Sequence, residues 1–126
     1  MKENEISYVI RGKVFDIHKK LGPGLLESVY EEVLFYELKK EGLKVKRQVT
    51  IPVVWEGMKM QKAFRADLIV ENKVIVELKS IEQLTPVHFK VLATYLKLTG
   101  LKLGLLINFF ESDISRGIKR YVNGKL

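Results

Sequence analysis

The sequence contains no cysteine and only two histidines. The absence of cysteine excludes a disulfide framework, and it also excludes zinc and iron–sulfur sites that bind through thiolates. A metal site in this chain would therefore depend on carboxylates, which favour hard cations such as Mg²⁺, Mn²⁺ and Ca²⁺.

Long apolar runs are also missing. No stretch approaches the ~20 residues that a membrane-spanning helix needs, and the charged start MKENEISYVIRGK lacks the apolar core of a signal peptide. We therefore expect a soluble, cytoplasmic protein with no membrane partner. No repeat, linker or low-complexity stretch divides the 126 residues, so residues 1–126 are expected to form one domain.

Positive charge is in excess. The 22 Lys and Arg residues against 15 Asp and Glu give a net charge of +7. Such an excess is compatible with a polyanionic partner, although many soluble proteins without one are equally basic.

The spacing of apolar residues predicts an α/β fold with a mixed central sheet. Glycine and proline signals, such as Gly22-Pro23 and Thr85-Pro86, mark where helices end and begin. The predicted helices span residues 5–20, 26–41 and 86–98, with a last short helix that starts at Ser112 or Asp113 and carries Lys119, Arg120 and Tyr121. The predicted strands span residues 44–55, 59–70, 74–79 and 101–109, which gives the order α-α-β-β-β-α-β-α.

Two acidic residues interrupt the apolar strands. Asp67 lies in FRADLIV and Glu77 lies in VIVELK, each among apolar neighbours. A carboxylate in a central strand costs free energy unless it is paired or bound to a metal. These residues are therefore the first candidates for a functional site.

The turn between these strands decides whether the two acids share a face of the sheet. A two-residue loop, Asn72-Lys73, would put them on opposite faces. A three-residue loop, 71–73, would put Asp67 opposite Glu77 with their Cβ atoms ~4.5–5.5 Å apart. We prefer the second register because it separates the side chains cleanly. One face then carries Asp67, Ile69, Ile75, Glu77 and Lys79, and the other carries Ala66, Leu68, Val70, Val74, Val76 and Leu78.

The shared face suits metal chemistry. Two neighbouring carboxylates repel each other unless a proton or a cation lies between them. A hard cation held by Asp67 and Glu77 could polarise a phosphoryl oxygen and lower the pKa of a water molecule, which Lys79 could orient. The residues alone leave open a second interpretation, a buried salt bridge between Lys79 and one acid, because the D…ExK string is short and common.

Glu27 and Tyr30 lie one turn apart on one face of the second predicted helix. Taken by themselves they have ordinary explanations. Glu27 would interact favourably with the helix dipole, and Tyr30 would pack in the core.

Three blocks of sequence resemble the GxxExxY proteins. LGPGLLESVYEEVL carries Gly24, Glu27 and Tyr30 in the places that name that family. RADLIVENKVIVELKS and YLKLTGLKLGLLINF follow in the family's order and spacing, so the resemblance covers nearly the whole chain. The family is placed in the PD-(D/E)XK nuclease superfamily, and the resemblance therefore implies a restriction-endonuclease-like, three-layer fold.

The resemblance also implies a nuclease site that uses Mg²⁺ or Mn²⁺. The implied catalytic residues are Asp67, Glu77, Lys79 and Glu27; the implied metal ligands are Asp67, Glu77, Glu27 and the backbone carbonyl of Leu78; and Tyr30 and Tyr95 are implied to shape the site. One position departs from the family. Its helix usually carries a glutamine one turn before the tyrosine of the YLK block, where this chain has Val91.

Two functions are compatible with these features. The first is a metal-dependent phosphodiesterase that cleaves DNA or RNA. Its candidate nucleic-acid-binding residues are Lys90, Lys97, Lys102, Lys119 and Arg120. The second is a catalytically weak or inactive nuclease-fold protein that binds nucleic acid or assembles with protein. Val91 favours this second hypothesis, as does the small size, which is compatible with a homodimer.

Overall fold

The fold was described from a computed structural model, which describes residues 1–60 and 64–126. Its helices are α1 Glu3–Leu21, α2 Glu27–Lys40, α3 Pro86–Thr99 and α4 Ile114–Gly117. Its strands are β1 Val45–Ile51, β2 Val54–Trp55, β3 Met58–Lys59, β4 Phe64–Val70, β5 Val74–Lys79, β6 Leu103–Asn108 and β7 Ile118–Val122. In the described part of the chain, none of the helices is both long and apolar enough to cross a membrane.

Five of these strands form one mixed sheet in the order β1-β4-β5-β6-β7. Neighbouring strands are antiparallel except β5 and β6, which run parallel and are joined through α3. A parallel pair needs such a crossover, because its strands start at the same edge of the sheet. The predicted mixed sheet is confirmed.

The sheet separates two apolar clusters. On one face, α1 and α2 pack over Leu68, Val76 and Leu105. On the other face, α3 packs over Ile69, Ile75 and Leu106 through residues such as Leu92 and Leu96. The three-layer α/β architecture predicted from the sequence is confirmed.

The first two predicted strands are shorter than expected. The chain leaves β1 after Ile51, and β2 and β3 form a separate hairpin. Glu56 and Gly57 make its turn with φ angles of 49° and 79°, which matches the mirror-image turns that join tight hairpins. Part of the second predicted strand, at 61–63, lies outside the described residues.

The last predicted helix is wrong in extent. Helix α4 has only four residues, capped by the Asp113 side chain, which accepts from the Ser115 N–H at 3.1 Å. Lys119, Arg120 and Tyr121 lie instead on β7, which pairs with β6. An open sheet edge offered these residues backbone hydrogen bonds that a second short helix could not match, and local helical spacing does not report such an edge.

Larger residues at two glycine positions should change the free energy of unfolding in opposite directions. A Cβ on Gly104 in β6 would lie 2.6 Å from Cδ1 of Leu92 in α3, whereas a Cβ on Gly12 in α1 would meet nothing within 4 Å. Gly104→Val should lower the free energy of unfolding by roughly 1–3 kcal/mol through overpacking. Gly12→Ala should raise it by about 0.5–1 kcal/mol through better helix propensity. Urea denaturation measures both, and an unchanged Gly104→Val midpoint would contradict the close packing of α3 on β6.

Candidate metal centre

The turn between β4 and β5 has the three-residue loop that the sequence favoured. Val70 pairs with Val74 and Ile69 with Ile75. Glu71 and Asn72 have positive φ angles of 54° and 53°. The Lys73 N–H donates to the Val70 carbonyl at 3.0 Å. Continuing this register places Asp67 opposite Glu77, so the preferred register is confirmed.

The regular β4–β5 ladder ends where the acids begin. Beyond the Leu68–Val76 pair, the backbone N–H of Asp67 donates to Glu77 Oε2 at 2.7 Å. In return, the N–H of Leu78 donates to Asp67 Oδ2 at 2.8 Å. Each carboxylate thus accepts from the opposite strand in place of a carbonyl, and the two side chains occupy the space between the strands.

Burial makes the charges on this pair costly. Glu77 is only 7% exposed, and its burial, followed by the negative charge of Asp67, raises its pKa to about 8. Burial also raises the pKa of Asp67, against the hydrogen bond from Leu78, which lowers it. At neutral pH the pair therefore favours holding a proton, or another positive charge, between its oxygens.

Glu31 of α2 and Gln48 of β1 extend the acid pair, and sequence reasoning missed both. The Gln48 amide donates to Glu31 Oε1 at 2.6 Å and to Asp67 Oδ1 at 3.3 Å. Arg47 closes the network with an ion pair to Glu31 at 3.1 Å. Glu31 stands four residues after Glu27, so helical spacing could have suggested it, whereas Gln48 left no sequence signal.

Gln48 also bears on the position of Ala66, which the predicted register placed on the same face as Leu68. The φ angle of Gln48 is 47°, a left-handed conformation in the middle of a strand. Regular alternation breaks there, and Ala66 packs with the α3 cluster instead of sharing the face of Leu68. Left-handed non-glycine residues cost free energy and concentrate at functional sites.

Glu27 borders the same site from the start of α2. Its Oε1 accepts from the Ser80 N–H at 3.3 Å, which ties α2 to the end of β5. A cavity of about 210 Å³ lies between these elements. It is lined by Glu27, Ser28, Glu31, Gln48, Asp67 and Leu78.

Lys79 lies at the end of β5, partly exposed, two residues from Glu77. Its positive charge lowers the pKa of both Asp67 and Glu77, although burial outweighs this effect. Across residues 1–60 and 64–126, the ion pairs do not include Lys79. The salt-bridge interpretation is therefore not what the structure contains.

The two tyrosines lie on opposite faces of the sheet. Tyr30 stacks on Phe109 with ring centroids 4.1 Å apart, and its hydroxyl donates to the Gly22 carbonyl at 2.5 Å and accepts from the Leu25 N–H at 3.1 Å. It thereby holds the loop that precedes Glu27. Tyr95 is on α3, on its buried side, where burial and then the charges of Glu77 and Asp67 raise its pKa.

The basic candidates from the sequence do not converge on the acids. Lys102 precedes Leu103, which pairs with Val74, so it lies at the end of the sheet opposite Lys79. Lys97 is in the last turn of α3, near that same end. Lys119 and Arg120 lie on β7, and β6 separates them from β5. Lys90 instead lines a groove on α3 with Val91 and Tyr95.

The donor chemistry of the site suits Mg²⁺ or Mn²⁺, since its ligands would be carboxylate and carbonyl oxygens. Within the described ranges, however, no three acidic or histidine side chains are grouped closely enough to hold an ion as they stand. Three of the four acids at the site, Asp67, Glu77 and Glu27, accept hydrogen bonds from backbone N–H groups instead. The residues fit the ion in type, and the acid pair carries the charge that a cation would balance.

The raised pKa of Glu77 predicts a pH-dependent stability. The unfolded side chain ionises near its ordinary pKa of 4.5, but the folded one does so only near 8. The carboxyl therefore lowers the free energy of unfolding progressively as pH rises through this window. In a chelating buffer, Glu77→Gln should match the wild type near pH 4.5 and exceed it by on the order of 3 kcal/mol at pH 8. Urea denaturation across this range measures the difference, and parallel curves for the two proteins would contradict the raised pKa.

Comparison with known proteins agrees with this geometry. A sequence model described as the PD-(D/E)XK nuclease superfamily matches residues 4–121. No protein with a curated description matches the chain, and no solved structure matches it. The superfamily that the motifs implied is confirmed, while the narrower GxxExxY assignment stays a prediction. With the model spanning almost the entire sequence and the acid pair in place, the chain belongs to the PD-(D/E)XK nuclease superfamily.

Proposed function

We propose that the protein is a Mg²⁺- or Mn²⁺-dependent phosphodiesterase that cleaves nucleic acid. Membership of the superfamily supports a nuclease-type function in general. The observation that carries the narrower proposal is the buried pair Asp67 and Glu77: burial, and then the charge of Asp67, raise the pKa of Glu77 to about 8. A pair kept at such a cost is typical of a site that binds a cation.

In this proposal Asp67 and Glu77 hold the ion, with Glu27 and the Leu78 carbonyl completing its ligands. The ion would supply the positive charge that polarises a phosphoryl oxygen and acidifies a water molecule. For Glu77 to bind it, the carboxyl must be ionised, and it must serve the ion while its Oε2 accepts from the Asp67 N–H at 2.7 Å. Glu27 already lines the same cavity, with its Oε1 accepting from the Ser80 N–H.

Lys79 is assigned the role of orienting the water molecule that acts as the nucleophile. Its ammonium lies close enough to both acids to lower their pKa values, yet it forms no ion pair in the described part of the chain. It can therefore donate a hydrogen bond that orients water beside the phosphate, and offset charge in the transition state. Gln48 is assigned to positioning, because its amide bonds Asp67 Oδ1 and fixes the orientation of that carboxylate.

One observation favours the second candidate function, a nuclease-fold protein that binds without cleaving. Asp67 and Glu77 are already satisfied by backbone N–H groups, and the family's usual glutamine is replaced by Val91. A site retained only for binding or assembly would keep its acids in such contacts. It predicts that Glu77→Gln alters stability alone.

Removal of one group at the site should abolish cleavage. Asp67→Ala and Lys79→Ala should each reduce metal-dependent nicking by at least about 100-fold, as the loss of one charge-stabilising group usually does. Nicking of labelled single-stranded, duplex and branched substrates with Mg²⁺ or Mn²⁺ measures this. Lys102→Ala is the matched control, since it removes one lysine at the opposite end of the sheet. No cleavage of any substrate by the wild type would reject the phosphodiesterase.

Calorimetric titration separates the two functions without needing a substrate. If the site binds metal, titrating wild-type protein with Mn²⁺ should give a saturable heat, and Asp67→Ala and Glu77→Gln should lose it because a ligand charge is missing. Lys79→Ala should keep it, as lysine does not ligate the ion. Equal heats in all four proteins would place any bound Mn²⁺ elsewhere.

A further inference from the structure

We propose that the surface between α2 and β1 binds single-stranded nucleic acid and leads it to the acid pair. This inference rests on the proposed function and adds to it the form of the substrate. The surface, here called the aromatic-basic groove, has a volume of about 520 Å³. It is lined by Glu32, Phe35, Tyr36, Lys39, Lys40 and Arg47.

Cations and aromatic rings alternate along this groove. Lys39 Nζ and Arg47 Cζ each lie 5.2 Å from the centroid of the Phe35 ring. Lys40 Nζ lies 5.6 Å from the centroid of the Tyr36 ring, and Tyr36 is 63% exposed. Nucleobases stack on exposed aromatic rings, while neighbouring cations contact the phosphates between them.

A chain of side-chain hydrogen bonds connects the groove to the candidate metal centre. Arg47, in the groove, bonds Glu31 at 3.1 Å, Glu31 accepts from Gln48, and Gln48 reaches Asp67. A strand lying along α2 would therefore enter the acid pair from the β1 side. The lysines predicted from the sequence on β7 and at the far end of α3 offer no such route.

Lys39 is the cation of the groove that is available to a phosphate. Arg47 pairs with Glu31, and Lys40 pairs with Glu37 at 3.4 Å. Lys39 is exposed and forms no ion pair in the described part of the chain, and Glu32 is the exposed acid among the lining residues. A single strand fits better than a duplex, because duplex bases are already stacked on one another and cannot cover Tyr36. An acidic peptide would use the cations but would leave the aromatic faces uncovered.

Fluorescence anisotropy in EDTA tests the inference without any cleavage. The probes are labelled oligothymidylate and oligouridylate of about 16 nucleotides, and a duplex of the same length. The double variant Tyr36→Ala/Lys39→Gln should bind the single strands about tenfold or more weakly. For this variant, the slope of log K against log salt concentration should be smaller in magnitude by about 0.7, because one phosphate contact is lost. The two single strands, compared directly, tell DNA from RNA.

The matched control is Tyr8→Ala/Lys19→Gln on α1. It also removes one tyrosine, 80% exposed, and one exposed lysine. It should leave binding unchanged. An equal loss of single-strand affinity in the two double variants, or no loss in either, would overturn the proposal that the groove binds nucleic acid. A duplex that binds as tightly as the single strands, and depends equally on Tyr36 and Lys39, would overturn the single-strand assignment. Displacement of the probe by polyglutamate at equal charge concentration would instead indicate an acidic peptide.

Failure of this inference is distinguishable from failure of the proposed function. If the wild type binds single strands through Tyr36 and Lys39 but nicks nothing, the groove is a binding surface and the phosphodiesterase proposal is wrong. If it nicks nucleic acid in an Asp67-dependent way while the groove variant binds normally, the phosphodiesterase proposal holds and the groove is not the binding surface.

Discussion

The site depends on an exchange of hydrogen bonds between neighbouring strands. The Asp67 N–H donates a hydrogen bond to the Glu77 carboxylate, and the Leu78 N–H donates one to the Asp67 carboxylate. Two backbone donors are thus satisfied by side chains at the point where the β4–β5 ladder ends. This exchange allows a pair of acids to lie within a sheet, since buried donors must be paired and buried carboxylates must be hydrogen-bonded. It also leaves the second oxygen of each carboxylate available for other partners, and Gln48 takes one on Asp67.

The burial of this acid pair opposes stability. A carboxyl with a folded pKa near 8 lowers the free energy of unfolding at neutral pH, because the unfolded chain ionises more readily. Gln48 adds a left-handed backbone conformation at the same place. Two unfavourable features that meet at one cavity are characteristic of sites selected for function at some cost in stability.

The amide that reaches Asp67 comes from an unexpected direction. The resemblance placed a glutamine on α3, where this chain has Val91, which lines an apolar groove with Phe64 and Tyr95. In this protein the Gln48 side chain of β1 bonds Asp67 from the side of α2, and Glu31 and Arg47 hold it there. The polar surroundings of Asp67 are therefore built by α2 and β1, the two elements that also form the aromatic-basic groove.

What the sequence determined by itself was local. Apolar spacing indicated the main helices and strands of the three layers, and the turn residues Glu71 and Asn72, both with positive φ, set the register that brings Asp67 beside Glu77. The family motifs identified Glu27 and Lys79. Only the tertiary structure decided that Lys119 and Arg120 form an edge strand, because this strand exists through its hydrogen bonds to the open edge of β6, which local apolar spacing does not report. The roles of Glu31, Arg47 and Gln48 were likewise decided by contacts between α2 and β1, since hydrogen bonds between residues 16 or more apart leave no periodic trace in a sequence.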